Sequence, residues 1–340
     1  MSGGFDGLAY AGSRALVFGA TGFIGRHVAD ALARAGAAVT LSARDALSLD
    51  RCAASLDGPT VTLVCDVCDD ARVVAAVRQV APHITFNLAG YGVDRSERDE
   101  SLADRVNGRF PGVLCEAVAA GRATDWPGQA LVHVGTQLEY GPIGGSMAEE
   151  SPASPHTLYG RTKLAGTVAL AACAANHSLP ALTARLFNVF GPGENEARLL
   201  PSIRRAVETG EPLALTDGRQ RMDFEWIGDV VEGLLRLGVV RATAGGLTEP
   251  SAGPDPRHGM AVNLATGRLS SVREFAEQAV VAMGGDASIL HFGALPQRAE
   301  TLEYLPVANE RLRRLTGWTP STTVSDGIRR MMQEKGRTDE

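Results

Sequence analysis

A tyrosine and a lysine stand four residues apart, at Tyr159 and Lys163, in a segment whose pattern predicts a helix. That spacing places both side chains on one face of the helix. A phenol has an ordinary pKa of about 10, and a neighbouring ammonium favours its ionised form. Thr136 ends the preceding predicted strand, where its hydroxyl can hydrogen-bond the same substrate oxygen as the phenol. Together the three residues predict proton transfer to or from a substrate oxygen.

Three glycines, Gly19, Gly22 and Gly25, lie between the first predicted strand and the first predicted helix. Glycine permits a tight turn and a close approach of the backbone to a pyrophosphate, and the helix N-terminus offers amide donors to the phosphate charge. The segment therefore predicts a dinucleotide site early in the chain. Three neighbouring residues are expected to contribute contacts: Thr21, Phe23 and Ile24.

The elements that must position these residues alternate between short apolar runs and amphipathic stretches rich in alanine. The predicted strands span residues 15–19, 38–42, 60–65, 84–89, 130–135 and 181–186, each expected to be buried on both faces. The predicted helices span residues 22–35, 71–80, 102–120 and 158–176. Such alternation predicts an α/β fold with a doubly wound parallel sheet, the Rossmann arrangement.

The pattern changes after residue 187, where turns rich in proline and glycine become frequent. Helices are predicted at 199–208, 229–239 and 272–283, short strands near 213 and at 261–264 and 288–292, an exposed loop at 242–259, and a helical C-terminal region. We therefore predict a Rossmann domain at residues 12–187, to which residues 224–240 return. Residues 188–336 are expected to form mainly a smaller, mixed α/β substrate-binding lobe.

Two positions bear on the choice of cofactor. Arg44 follows the second predicted strand, where an acidic residue would accept the adenosine ribose hydroxyls of NAD. A guanidinium there suits the 2′-phosphate of NADP, so NADP is favoured, with NAD and a ribose contact from Asp45 as the alternative. Asp66 ends the third predicted strand, where it would accept a hydrogen bond from the adenine amino group or cap the next helix.

The composition is that of a globular protein, with 44% hydrophobic and 21% charged residues, and the formal net charge of -6 argues against a nucleic-acid surface. Neither a secretory leader nor an apolar run of about 20 residues is visible, which predicts a cytoplasmic protein with no membrane partner. Of the five cysteines only Cys65 and Cys68 have a CxxC spacing, so we expect free thiols and no metal site.

Several motifs together resemble the extended short-chain dehydrogenases/reductases, the NAD-dependent epimerase/dehydratase family. They are GATGFIG at 19–25, NLAG at 87–90, Thr136 followed by EYG at 139–141, YGRTK at 159–163, RLFNVFGPG at 185–193, the segment 218–230, and LTGWTP at 315–320. The resemblance spans nearly the whole chain. It implies a Rossmann domain that binds a nicotinamide cofactor, a smaller lobe that binds a nucleoside-diphosphate sugar, and a homodimer.

Carried onto this sequence, the resemblance implies roles for particular residues. Thr136, Tyr159 and Lys163 become the catalytic residues, and Tyr159 and Lys163 also contact the cofactor. Further cofactor contacts are expected from Val67, Leu88, Ala89, Gly90 and Leu186. Contacts with the sugar nucleotide are expected from Gln137, Asn188, Arg221 and Arg298, because arginines neutralise a pyrophosphate well.

Departures from the family pattern bear on the reaction. Gln137 and Leu138 follow the predicted catalytic threonine, where sugar-nucleotide dehydratases carry acidic residues, and a leucine cannot move protons. This argues against dehydration. Met222 stands where the family places an arginine, so Arg221 or Arg219 binds the substrate phosphate only if the local register shifts.

Two reactions and one non-catalytic role remain open. We favour NADPH-dependent reduction of a nucleoside-diphosphate 4-keto-6-deoxy sugar, with Tyr159 as the proton donor. An NAD-dependent nucleotide-sugar 4-epimerase is the alternative, for which an acidic residue at position 44 would be more natural. A non-catalytic NADP-binding regulator is the third reading, and the intact Tyr159 and Lys163 argue against it.

Overall fold

The computed structural model describes residues 7–92, 97–142, 146–241, 261–296 and 306–338. The central feature of the protein is a sheet of seven strands whose pairs are all parallel. In spatial order the strands are β3 (Thr60–Val64), β2 (Ala38–Ala43), β1 (Arg14–Phe18), β4 (Ile84–Asn87), β5 (Leu131–Thr136), β6 (Ala181–Leu186) and β10 (Ala261–Leu264). The first six follow the Rossmann order, which confirms the predicted doubly wound α/β fold.

Helices cover both faces of this sheet. One face is covered by α1 (Phe23–Arg34), α2 (Ala46–Ala54) and α8 (Ile227–Gly238), and the other by α3 (Asp70–Val80), α5 (Phe110–Gly121) and α6 (Leu158–His177). In β1, Ala15 and Val17 join the core under the first set of helices, whereas Leu16 and Phe18 join the core under the second. A strand that is buried on both faces has no polar side to expose, which explains its continuous apolar sequence.

The helix predicted at residues 102–120 is interrupted. It consists of α4 (Glu100–Ala103), one wide π-helical segment at Asp104–Arg109, and α5. The π segment packs so closely on α6 that a Cβ atom added to Gly166 would lie 2.0 Å from the carbonyl oxygen of Asn107. The close contact fixes α6, which carries Tyr159 and Lys163, against the preceding helix.

The later part of the chain adds two small sheets and four helices within the described ranges. β7 (Asn188–Phe190), β9 (Arg221–Trp226) and β11 (Leu269–Ser271) form one sheet, and β8 (Leu213–Leu215) pairs with β12 (Leu290–Phe292) in the other. The helices are α7 (Leu199–Thr209), α9 (Val272–Ala282), α10 (Glu310–Thr316) and α11 (Val324–Thr338). β7 follows β6 after one residue, so this part is joined directly to the carboxyl edge of the large sheet.

Two predictions about the elements were wrong, and four elements were missed: α2, β7, β9 and β11. Residues 261–264 were expected in the smaller lobe, but they form β10 and pair with β6 in the large sheet. β3 is not buried on both faces, because it is the edge strand and Val61 is 63% exposed. α2 was missed, since its short amphipathic pattern is weak. The predicted loop at 242–259 lies outside the described residues.

Two chain-wide features bear on the sequence analysis. Within the described ranges, every helix is too short or too polar to cross a bilayer. All five cysteines are free thiols, as predicted, and Cys68 is the most accessible of them.

Candidate active site at the carboxyl edge of the sheet

Because all seven strands are parallel, their carboxyl ends meet at one edge of the sheet. The residues predicted to contact the cofactor or to carry the chemistry follow this edge in strand order: Asp66 and Val67 after β3, Arg44 after β2, Gly19 after β1, Leu88 to Gly90 after β4, Thr136 at the end of β5 and Leu186 at the end of β6. The structure therefore brings the predicted residues together along one line, with Thr136 and Leu186 paired in adjacent strands.

The glycine turn between β1 and α1 is closed by backbone contacts that exclude side chains. Gly19 has φ +74° and approaches the β4 loop, where an added Cβ would lie 2.6 Å from the Ala89 amide nitrogen. A Cβ on Gly25 would lie 2.1 Å from the carbonyl oxygen of Gly19. Gly22 begins α1 without a side-chain cap, and the first turn of that helix holds no acidic residue. The amide donors at this N-terminus are therefore available to an anionic group.

The β2 end of the edge separates the roles of Arg44 and Asp45. Asp45 caps α2 by accepting a hydrogen bond from the Ser48 amide at 2.8 Å, and the side chain and the amide of Ser48 together lower the pKa of Asp45. Arg44 is exposed and has no hydrogen bond or ion pair to any residue within the described ranges. At β3, Asp66 is exposed and accepts a hydrogen bond from Cys68, while the cap of α3 is Asp69. The helix-cap alternative for Asp66 was therefore wrong.

Tyr159 and Lys163 lie in the first turns of α6, above the carboxyl end of β5. The Lys163 ammonium is buried and donates a hydrogen bond to the carbonyl oxygen of Val134 at 2.6 Å. Thr136 accepts a hydrogen bond from the Leu138 amide through its hydroxyl oxygen, so the hydroxyl proton is available for another acceptor. The Tyr159 ring packs beside Gly92, where an added Cβ would lie 3.4 Å from the ring.

A buried ion pair connects the elements that carry Thr136, Tyr159 and Lys163. Glu139 and Arg185 have side chains that are 0% exposed, and their closest atoms are 3.0 Å apart. Glu139 also accepts hydrogen bonds from the Thr136 amide at 2.9 Å and from the Thr167 hydroxyl at 3.1 Å. The Arg185 guanidinium lies 4.5 Å from the ring centre of Tyr140. One carboxylate thus links the end of β5, α6 and β6.

Burial and the Glu139 charge set the ionisation of the predicted catalytic pair. Burial lowers the pKa of Lys163 to about 8, although the Glu139 carboxylate opposes this shift. Burial, followed by the charge of Glu139, raises the pKa of Tyr159. A raised pKa favours the protonated phenol, whereas the ammonium together with an oxidised nicotinamide is expected to favour the phenolate. Burial and the nearby Lys163 also lower the pKa of His133, which keeps that buried imidazole neutral.

Asn107 is a positioning residue that the sequence analysis missed. Its side chain accepts a hydrogen bond from the Tyr91 amide at 3.0 Å and donates to the Tyr91 carbonyl at 2.7 Å. It also donates to the Thr162 hydroxyl at 3.0 Å. Asn107 therefore ties the loop after β4 to the catalytic helix. An asparagine inside a helical pattern gives little signal, because its partners are distant in sequence.

The structure does not bring all of the residues predicted to contact the substrate to one place. Asn188 begins β7 and donates a hydrogen bond to the carbonyl oxygen of Asp223 at 3.2 Å. Gln137 is buried just after Thr136. Arg221 is exposed, bonds the carbonyl oxygen of Leu269, and lies three residues before Phe224, the partner of Asn188. That offset is about 10 Å along a strand, so Arg221 is not brought to Asn188. Arg298 lies outside the described residues.

Two residues depart from the family pattern. Leu138 stands where sugar-nucleotide dehydratases carry an acid, and Met222 stands where the family carries a phosphate-binding arginine. Leu138 and Met222 both pack on the cluster formed by Tyr140, Met147, Phe187, Ala265 and Val307. No proton donor or cation is present at these two positions.

The segment after β7 brings further charged groups to the site. Arg198 is the residue just before α7, and its guanidinium lies 3.3 Å from the Glu194 carboxylate. Its positive charge opposes the rise in the pKa of Tyr159. Burial raises the pKa of Glu194 to about 7. The same segment is held to α1, because Arg26 donates a hydrogen bond to the Gly193 carbonyl at 2.7 Å. Sequence reasoning missed these residues, since only the tertiary fold brings them near Tyr159.

Comparison with known proteins assigns the chain to a family. The profile of the NAD dependent epimerase/dehydratase family matches residues 15–243. The dTDP-6-deoxy-L-talose 4-dehydrogenase (NAD(P)(+)) of Kitasatospora kifunensis is 30% identical over 94% of both chains. The UDP-glucose 4-epimerase of Mycolicibacterium smegmatis is 27% identical over 94% of this chain and 97% of the relative. The protein therefore belongs to the NAD dependent epimerase/dehydratase family, as the resemblance to extended short-chain dehydrogenases/reductases predicted.

A solved structure supports the same fold. MoeE5 in complex with UDP-glucose and NAD superposes with a TM-score of 0.76, at 24% identity, over 96% of this chain and 100% of that chain. At this level of identity the likeness concerns the fold.

The buried ion pair gives a testable prediction. Replacing Glu139 by Gln should lower the free energy of unfolding by about 3 to 5 kcal/mol, because it leaves the Arg185 charge buried and unpaired. Thr167→Val is the matched control, since it removes one hydrogen bond to Glu139 and should cost about 1 kcal/mol. Urea unfolding at neutral pH measures both values. Equal losses in the two variants would contradict the assigned role of the ion pair.

Proposed function

We propose that this protein catalyses the NADPH-dependent reduction of a nucleoside-diphosphate 4-keto-6-deoxy sugar, with Tyr159 as the proton donor. The observation that carries the proposal is the arrangement of the site: Tyr159 and the buried Lys163 lie in the first turns of α6, above the end of β5, where Thr136 lies. Reduction of a ketone begins with a protonated donor, whereas oxidation of an alcohol begins with a base. Burial raises the pKa of Tyr159, which favours the protonated phenol that a reduction requires.

The residues at the carboxyl edge fit a nicotinamide dinucleotide. The cradle at Gly19 and Gly25 is one that a Cβ would fill, and the uncapped N-terminus of α1 faces it. When bound, the reduced cofactor supplies the hydride. We assign the pyrophosphate to this turn, the adenine end to Arg44 and Asp66, and the nicotinamide end to Tyr159 and Lys163, in keeping with the order of the strands.

The protein residues would manage the proton in this reaction. The Thr136 hydroxyl donates a hydrogen bond to the carbonyl oxygen of the sugar and orients it. As the carbon of that carbonyl gains a hydride, the oxygen takes the proton from the Tyr159 hydroxyl. The Lys163 ammonium then stabilises the phenolate until solvent returns a proton. The division of the chain into a Rossmann domain and a substrate lobe, and the homodimer, remain part of the proposal.

The relatives support a reaction at C4 of a deoxysugar. The Kitasatospora kifunensis relative is named a 4-dehydrogenase of dTDP-6-deoxy-L-talose with NAD(P)(+), which is the reverse of a 4-keto reduction. Leu138 and Met222 lie in an apolar cluster and supply no acid or cation for a dehydratase. A dTDP-linked 4-keto-6-deoxyhexose is accordingly the first substrate to assay.

A 4-epimerase is the second candidate, because the relative from Mycolicibacterium smegmatis is a UDP-glucose 4-epimerase that matches nearly the whole chain. An epimerase keeps its NAD and returns the hydride to the other face, with no net consumption. The two reactions are therefore distinguished by purifying the protein and measuring both retained nicotinamide and the loss of NADPH absorbance.

Replacement of Tyr159 by Phe tests the proposed mechanism. We expect kcat for the reduction of dTDP-4-keto-6-deoxyglucose to fall by about 10² to 10⁴-fold, because a general acid is lost, while NADPH binding is retained. The assay follows NADPH absorbance, and binding is followed by cofactor fluorescence. Tyr91→Phe, which alters a phenol in the neighbouring loop, is the control.

Two outcomes would overturn the proposal. Unchanged turnover in Tyr159→Phe would remove the mechanism. NADPH binding without turnover of any nucleotide-linked keto sugar would favour the non-catalytic regulator.

The preference for NADPH depends on Arg44. Arg44→Ala should raise the KM for NADPH by about tenfold or more while leaving that for NADH nearly unchanged, because it removes a charge-assisted contact with the 2′-phosphate. The side chain is exposed and makes no internal bond within the described ranges, so the fold should be unaffected. Arg51→Ala in α2 is the control, and kcat/KM is measured with both cofactors. An unchanged ratio would show that Arg44 does not select NADPH.

A further inference from the structure

Three side chains with metal-binding chemistry meet on the helix pair formed by α5 and α6. Cys173 and His177 lie one helical turn apart on α6, and Glu116 lies opposite them on α5. One ligand atom from each lies within 4.8 Å of the other two. The group is far from the predicted chemistry, since His177 follows Lys163 by fourteen residues, about 21 Å along the helix.

The spacing of these atoms is close to that of a metal centre. A tetrahedral zinc ion with bonds of about 2.0 to 2.3 Å holds its ligand atoms about 3.3 to 3.8 Å apart. The Glu116 and His177 atoms are 2.6 Å apart, so they would need to separate slightly, and the Cys173 sulfur lies within 4.8 Å of both. Such shifts are within the reach of side-chain rotation alone.

The surroundings favour an ion that enters from solvent. The side chains of Glu116 and His177 are 58% and 42% exposed, whereas Cys173 is only 6% exposed. The thiol thus forms the floor of the site and the other two ligands its rim. Cys115, the residue before Glu116 on α5, is fully buried, and its thiol donates a hydrogen bond to the carbonyl oxygen of Leu170, three residues before Cys173 on α6.

We propose that Glu116, Cys173 and His177 form a binding site for a divalent transition-metal ion, with zinc as the best match. A set of one sulfur, one imidazole nitrogen and one carboxylate oxygen suits zinc, and a hard ion such as Mg²⁺ would avoid the thiolate. Three protein ligands leave a fourth position for water. The bound ion joins α5 to α6, so its role is to stabilise that helix pair.

The sequence analysis expected no metal, because it sought ligands that are close in sequence. Cys65 and Cys68 have the familiar CxxC spacing, but no third ligand of the described residues accompanies them. Glu116 is separated from Cys173 by more than fifty residues, and only the packing of α5 against α6 brings them together. This site is independent of the proposed reaction.

Cobalt titration of the whole, reduced protein tests the proposal directly. We expect one Co²⁺ per chain, with a thiolate-to-cobalt absorption band in the near ultraviolet and the visible bands of a tetrahedral ion, both removed by added Zn²⁺. Cys173→Ser should abolish the near-ultraviolet band, and His177→Gln should weaken Co²⁺ binding at least tenfold. His177 is exposed at the end of α6, so its variant should fold. Cys68→Ser, which removes the most accessible thiol, is the matched control and should bind like the unaltered protein.

Thermal unfolding gives a second measurement. Zn²⁺ should raise the Tm of the unaltered protein and of Cys68→Ser, but not that of His177→Gln, because an ion stabilises the folded protein only where its ligands are present. Cobalt spectra that lack the thiolate band, or that are the same in Cys173→Ser, would overturn the proposal. Equal, weak binding in all variants would do so as well.

Discussion

The site depends on the buried ammonium of Lys163. An ammonium taken out of water loses solvation free energy, and the protein offsets this only in part, through the hydrogen bond to Val134 at 2.6 Å and the charge of Glu139. The part of this desolvation cost that is not offset lowers the pKa of Lys163 to about 8. A lysine in this state can still hold a proton at neutral pH, yet it responds to a charge that develops beside it.

The elements around Lys163 keep that arrangement rigid. Gly166 allows α6 to rest directly on the backbone of Asn107, and the Asn107 side chain fastens the loop after β4 to the same helix. Glu139 and Arg185 form a second, fully buried layer that links β5, α6 and β6. The positions of the proton-transfer groups are therefore set by backbone packing and buried ion pairing rather than by flexible surface contacts, which suits a site that must hold a substrate oxygen in one place.

The parts of this account that sequence could predict are those encoded by local spacing. The glycines of the first turn, Tyr159 with Lys163, and all six strands predicted before residue 187 follow from neighbours in the chain. Residues whose meaning depends on distant partners were missed. Asn107 bonds Tyr91 and Thr162, Glu139 pairs with Arg185, and β10 joins the sheet beside β6, and none of these relations leaves a periodic pattern. The rise in the pKa of Tyr159 was also missed, because its main cause is burial, which a sequence does not show.

The most direct test of the central role of Lys163 is the pH dependence of kcat/KM for the proposed NADPH-dependent reduction. The ammonium must keep its proton to stabilise the phenolate, and its pKa is lowered, so activity is present below that pKa and lost as the pH rises through it. We expect a level profile near neutral pH and a decline centred at about 8. A profile that stays level until the ordinary lysine pKa of about 10.4 would contradict the account, because Lys163 would then not be the buried, weakly held cation on which the site depends.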